Sequence, residues 1–337
     1  MKRLYGSIIV TLAFLIVAFF TYQPNNSNAQ SKNTKKEMPT IGLLQSLSQP
    51  ALDQITQGTI DQLAKRGYKD GKTAHITVLN AQGDQSNLKS MSEKLNSNNP
   101  DLTIGIATPA AQALANIQKT TPMIMGAISS PIQAGLVKNL KHPGHNITGV
   151  SNTNPTADQL KMIAEIMPDL KTLGVIYTAG NVTSQVAVKE LEALAPKYGL
   201  TIKPYTITNT NDLDQVSQQM LKEVKAVYIP QDNNIASAMK TLVNNANIAK
   251  IPLFPPAGTM VEDGGLATVG INQYNLGVAT GNMAADVLDG KSKPATTPVN
   301  VIGKGQLYLN MKEAKILGIQ FPQKLIDEAK AKGEIIK

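Results

Sequence analysis

Leu102-Thr103-Ile104-Gly105-Ile106-Ala107-Thr108-Pro109-Ala110-Ala111 is the stretch on which the fold turns. Its first half is apolar and without alternation, the pattern of a strand buried on both faces of a parallel sheet. Its second half breaks at a hydroxyl and a proline and continues in small, helix-favouring residues. That is how a helix begins, with Thr108 as N-cap and Pro109 preset for the first helical position. A strand over 102–108 running into a helix over 110–119 is half of a βα unit, and such units build parallel sheets.

The same grammar repeats on both sides. Strands are expected over 40–46, 75–81, 122–129 and 147–151, with helices over 51–66 and 88–96 between the early ones. It then starts again with a helix over 157–167 and strands over 173–178, 200–207, 226–232, 251–255 and 266–272, the first four separated by helices over 182–198, 212–224 and 233–247. A helix over 274–288, a strand over 299–302 and helices over 311–317 and 322–331 close the chain. Two successive blocks predict an α/β protein of two Rossmann-like lobes with parallel sheets and a ligand cleft between them. The first lobe is expected over 39–150, with about 273–298 returning to it, and the second over 151–272, with about 299–337 returning.

Composition fits this reading. The chain has 337 residues, 42% of them hydrophobic, enough for about two domains. Met1, Lys2 and Arg3 precede an uncharged apolar run from Leu4 to Phe20, the mark of an export signal or membrane anchor over 1–21. Ser27-Asn28-Ala29 offers a small-x-small cleavage site, so the segment is either kept as an anchor or removed after Ala29. Residues 22–38, rich in Asn, Ser, Gln and Lys, read as a tether. With no cysteine, the chain cannot be disulfide-linked, cannot carry an N-terminal lipid on a thioether and cannot hold Cys-ligated zinc. The formal charge of +8 falls to +6 once residues 1–29, which carry Lys2, Arg3 and no acid, are set aside. The remaining excess is spread along the chain or placed in tails, which argues against nucleic-acid binding.

Ligands of open parallel sheets bind beyond the C-terminal ends of the strands, where helix N-termini present N–H groups. Three such ends carry hydroxyls before a proline: Thr108-Pro109, Ser129-Ser130-Pro131, and Ser46 with Gln49-Pro50. Together they suit a small anion such as an α-carboxylate, although Thr108-Pro109 alone is also what an ordinary capped helix needs. In the second block the strand over 226–232 ends at Asp232-Asn233, where the acid either pairs with an α-ammonium group or caps the next helix. A zwitterion held by both would draw the lobes together. Phe254, Tyr274 and Tyr177 fall at or just beyond strand ends, placed either to stack on an aromatic ligand or to pack in the core.

Catalysis finds little support. His75, His142 and His145 are the only histidines, the last two in a Lys-His-Pro-Gly-His turn with no carboxylate to complete a metal set. None of G-x-S-x-G, H-E-x-x-H, G-x-G-x-x-G or G-x-x-x-x-G-K-[ST] occurs, and no cofactor or metal is expected.

From about Pro39 to Ala331 the chain resembles the tryptophan/tyrosine-type ABC transporter substrate-binding family. The resemblance is carried by Gly83-Asp84-Gln85-Ser86, Gly105 through Ala111, Gly144 through Ser151, Asp232-Asn233 with Ile235-Ala236-Ser237, Met260-Val261-Glu262 with Gly264-Gly265-Leu266-Ala267, and Asn275-Leu276-Gly277 with Ala279-Thr280-Gly281. It implies a periplasmic-binding-protein type I arrangement with three hinge crossings, an aromatic amino acid ligand, and a permease and ATPase as partners. On that pattern Thr108, Ala110, Ser129, Ser151 and Asp232 line the cleft. Ser46 and Gln49 depart from the aromatic residue and histidine often found after the first strand in this family, which bears on the ligand's side chain. The competing readings are a membrane-tethered sensor of the same fold and an exported hydrolase, the latter without the carboxylate cluster it needs.

Overall fold

The computed structural model describes residues 38–337. The segment expected over 1–21 and, apart from Met38, the tether expected over 22–38 lie outside the described residues. The first block runs β1 (Thr40–Gln45), α1 (Pro50–Lys65), β2 (His75–Asn80), α2 (Gln85–Ser97), β3 (Leu102–Ile106), α3 (Thr108–Ile117), β4 (Met123–Gly126) and β5 (Ile147–Asn152). The second runs α4 (Thr156–Ile166), β6 (Thr172–Thr178), α5 (Val182–Leu194), β7 (Thr201–Ile207), α6 (Leu213–Met220), β8 (Val227–Tyr228), α7 (Asn233–Ser237), α8 (Met239–Ala249), β9 (Leu253–Phe254), α9 (Gly258–Glu262) and β10 (Ala267–Gly270). The chain ends with α10 (Gln273–Leu288), β11 (Asn300–Ile302), β12 (Gln306–Asn310), α11 (Met311–Leu317), α12 (Gln323–Lys332) and β13 (Glu334–Ile336).

The first lobe is a six-stranded sheet in the order β11-β5-β4-β3-β1-β2, every pair parallel. Strands β3, β4 and β5 are buried along their whole length because helices cover both faces. Leu52, Ile55 and Leu63 of α1 join Leu276, Ala284 and Ala285 of α10 in one apolar cluster, and Leu88 and Leu95 of α2 join Ala111 and Leu114 of α3 in another. Each fully buried Leu or Ile contributes about 1.5–3 kcal/mol. Helix α10 comes back across roughly two hundred residues of chain to lie on α1, and the approach is close. A β-carbon at Gly277 would stand 2.1 Å from the Ile55 carbonyl oxygen, and one at Gly58 2.3 Å from that of Tyr274.

The second lobe holds the parallel sheet β7-β6-β8-β9 and a smaller sheet, β10-β12-β13, in which β10 and β12 are antiparallel. The chain crosses between lobes after β5, between β10 and α10, and between β11 and β12. The expected return to the second lobe at about 299 is therefore too early: β11 pairs with β5 and stays in the first sheet. The first sheet likewise extends to Asn152.

Other departures have local causes. The strand expected over 226–232 pairs only at Val227–Tyr228, since Pro230 has no N–H to offer and the chain leaves the sheet. The single helix expected over 233–247 breaks at Ala238, whose φ of −112° and ψ of 19° are not helical. Strands β12 and β13 and the one-turn helix α9 were not anticipated. They are three to five residues long, too short for periodicity to declare.

Candidate ligand-binding cleft

A cavity of about 860 Å³ lies between the lobes, at the C-terminal ends of β1, β3 and β4 on one side and of β6 and β8 on the other. Seven of the residues expected at the site line it: Ser46, Gln49, Thr108, Pro109, Ser129, Asp232 and Asn233.

The start of α3 is its most unusual element. Ala107, at the N-cap position, has φ 68° and ψ 158°, a region that residues other than glycine rarely enter, and no side chain caps the helix. Thr108 is thus not the cap expected but the first helical residue. Gly105 makes room for this, since a β-carbon there would meet the Ala111 Cα at 2.6 Å, so β3 and α3 pack nearly backbone to backbone. With Pro109 lacking an N–H, the first-turn amides of Thr108 and Ala110 are the donors left for a ligand. Ala127, at the end of the neighbouring β4, also has a positive φ of 57° and also lines the cavity. Two strained alanines side by side, each costing about 1–3 kcal/mol, mark where the fold yields stability to site geometry.

Ser46 leaves β1 beside them, its N–H donating to the Ile106 carbonyl at 3.3 Å. Its hydroxyl is buried in the cavity wall and has no hydrogen-bond partner among the described residues. The loop after it is held from below by Gln45, whose amide donates to Asp53 Oδ1 at 2.6 Å and to the Leu47 carbonyl at 2.8 Å. Gln49 accepts from the Ala51 N–H at 2.8 Å, capping α1, and donates to Asn233 Oδ1 across the cleft at 3.3 Å.

Asp232 is 4% exposed and is a helix cap, the second of the two roles left open by sequence. Oδ1 accepts from Thr178 Oγ1 at 3.0 Å and from the amides of Asn234 and Ile235 at 3.0 and 3.3 Å. Oδ2 accepts from the Thr178 N–H at 2.7 Å and Ser184 Oγ at 2.8 Å. Five donors from the chain fill a carboxylate with about four lone-pair sites. All five are neutral, and no salt bridge to this carboxylate occurs among the described residues.

Gln231 and Asn152 were not anticipated. Gln231 Oε1 accepts from Ser129 Oγ and, at 3.2 Å, from Asn152 Nδ2, tying the second lobe to the first. Thr108 Oγ1 and Thr183 Oγ1 approach to 3.5 Å across the same gap. The signal for Gln231 was Pro230, which turns the chain out of β8 and aims the next two residues at the cleft.

Five expected residues lie elsewhere. Ala110 is buried in the core cluster beneath α3 and is not among the residues lining the cavity. Ser151 is buried within β5, and Phe254 is packed in the second-lobe core with Tyr228 and Leu173, because short β9 is covered on both faces. Tyr274 is 38% exposed and donates to Asp61 Oδ2 at 3.0 Å, outside the main cavity. Tyr177 packs against the second-lobe core. No aromatic side chain is among the residues lining the cavity.

Comparison with known proteins agrees with this architecture. The chain is 34% identical over 322 residues to a tyrosine-binding protein of Clostridioides difficile (strain R20291), covering 95% of this chain and 93% of that one. The structure superposes on an ABC domain in complex with L-Trp from Streptococcus pneumonia with a TM-score of 0.85 and 45% identity, covering 88% of this chain and 99% of the other. The ligand-free, open structure of a substrate-binding protein with adhesive properties from Clostridium difficile gives a TM-score of 0.67 at 35% identity, over 84% and 96% of the two chains. The sequence pattern of the ABC transporter substrate binding protein family spans residues 40–332. This chain belongs to that family and is the substrate-binding component of an ABC transporter.

Proposed function

We propose that the cleft captures an aromatic amino acid as its zwitterion and delivers it to an ABC permease and ATPase from the extracellular face of the membrane. The uncapped, strained start of α3 carries this reading: it offers the Thr108 amide and hydroxyl to a carboxylate, with Ser46 beside them in the cavity wall. The ammonium group is served by amide oxygens on the second-lobe side and by the unneutralised charge of Asp232 behind them. The side chain lies against Leu47, Leu52, Ile55, Val182 and Met260, which also line the cavity. An aromatic ring buries about 150–250 Å², worth roughly 4–6 kcal/mol before entropic losses. That outweighs the roughly 0.5–1.5 kcal/mol a stacking partner adds, so a cleft walled by aliphatic residues is adequate for an aromatic ligand. The tyrosine-binding relative and the L-Trp complex support the same ligand class.

Melting curves of the purified protein test it. Tryptophan, tyrosine or phenylalanine at about 100 times its dissociation constant stabilises the fold by roughly 2.7 kcal/mol. A shift given only by a sugar or nucleoside sinks the zwitterion assignment. A shift given by leucine and not by aromatic amino acids keeps the backbone contacts but overturns the side-chain class.

Retention at the membrane falls to residues 4–20, either as a lasting anchor or as a signal removed after Ala29. Deleting them leaves the protein in the cytoplasm. Mature protein recovered wholly from the medium and beginning at Gln30 excludes the anchor.

A further inference from the structure

A second cavity, of about 360 Å³, opens between the lobes beside the hinge, and Gln273 lines both it and the cleft. Gln54 of α1 and Tyr274 of α10 form its first-lobe wall; Thr259 and Glu262 of α9, Tyr308 of β12 and Glu334 of β13 form the other. Its chemistry is unlike that of the cleft. Both carboxylates lack an ion-pair partner among the described residues. They also act on their surroundings: the Glu262 carboxyl is pushed up by partial burial, then by Glu334 and Asp263, and the Tyr308 hydroxyl is pushed up by burial with both glutamates adding to it. Thr259 is only 5% exposed, yet its hydroxyl has no hydrogen-bond partner among the described residues. Two aromatic rings complete the walls, although the main cleft has none.

Acidic groups beside aromatic faces are the surroundings in which ammonium ions bind, by charge and by cation–π attraction together. A bare metal ion fits less well. No group of three or more acidic, histidine or cysteine side chains suited to a metal occurs among the described residues. The cavity also has room for about a dozen waters at about 30 Å³ each. We propose that this pocket binds a small organic diammonium ion, its charges met by Glu262 and Glu334, its methylenes lying against Tyr274 and Tyr308, and one ammonium donating to the Thr259 hydroxyl. Because the walls belong to different lobes, the ion binds the closed form more tightly, and by linkage the cleft ligand and the ion raise each other's affinity.

Calorimetric titration of the full chain with 1,4-diaminobutane, without any amino acid present, tests the site independently of the cleft. Saturable binding of one equivalent is expected, weakened by about tenfold or more in the Glu262→Gln/Glu334→Gln double variant. Both glutamates are exposed, so the variant keeps its fold, which its melting curve verifies. Thr259→Val weakens binding by a smaller factor. No saturable binding by the native chain, or equal binding by the double variant, overturns the proposal. So does binding of calcium chloride with none of the diamine.

Discussion

The Thr178 N–H donates to Asp232 Oδ2 at 2.7 Å, joining the end of β6 to the turn that leaves β8. Since the same carboxylate caps α7 and takes the hydroxyls of Thr178 and Ser184, it organises the second-lobe rim of the cleft. Asp232→Asn leaves one acceptor oxygen facing five donors and turns an amide against some of them. It is expected to lower stability by about 1–3 kcal/mol, read from denaturant midpoints. An unchanged midpoint with weakened ligand binding reverses the assignment and makes Asp232 a direct partner of the ligand's amine.

Gln231 holds the lobes together through an oxygen that accepts from both Ser129 and Asn152. Gln231→Ala removes both bonds at once while leaving β8 and its core contacts intact. The variant is expected to spend more time open, giving a larger radius of gyration in solution scattering and faster ligand release, by about tenfold for roughly 1.4 kcal/mol lost from the closed state. A release rate equal to that of the native protein shows that the ligand alone holds the cleft shut.

Much of this architecture is readable in the amino-acid order, and the exceptions are instructive. Buried parallel strands such as β3 declare themselves because both faces need apolar residues, and Thr108-Pro109 declares a helix start because few other residues suit one. The site's side-chain roles are less legible. Asp232 reads equally as cap or ligand partner until the five donors around it are known. Phe254 stands at a strand end like a ligand-stacking residue, but β9 is only two residues long and lies inside the core. Ala107 gives no warning at all, because the pattern that predicts an ordinary cap does not reveal a positive φ.

Helices α1 and α10 are also joined at their C-terminal ends. Arg66 Nη2 lies 2.8 Å from Asp286 Oδ1 and 2.9 Å from Asp289 Oδ2, while Tyr68 and Lys291 also donate to Asp289. Lys291, Tyr68 and Arg66 hold the Asp289 carboxyl well below the usual carboxylate range, and in turn the Tyr68 hydroxyl is pushed up to about 12, chiefly by burial and by its bond to Asp289. A depressed native value means the unfolded chain takes up the proton first. The stabilisation is therefore complete above about pH 4 and is lost as pH falls further toward the native value. Asp289→Asn should flatten this acid limb in melting curves recorded between neutral pH and pH 3. An unaltered limb assigns the acid sensitivity to other carboxylates.

Ala107 offers a direct measure of what the cleft costs the fold. At φ 68° and ψ 158° its methyl group is strained by about 1–3 kcal/mol, whereas glycine enters that region at no steric cost. Against this, glycine adds about 0.4–1 kcal/mol of unfolded-chain entropy. Ala107→Gly should therefore raise stability by about 1 kcal/mol, and Ala107→Val should lower it, since a branched side chain tolerates the conformation least. The alanine's strain is sustained by the packing of Gly105 on Ala111, which fixes where α3 begins and so where its first amides point. Relieving it leaves that packing in place but loosens the turn, so affinity for the cleft ligand should fall by less than about tenfold while the midpoint of unfolding rises. If Ala107→Gly instead destabilises the protein, the backbone at this position is at rest, and the start of α3 is an ordinary helix terminus with no geometry reserved for a carboxylate.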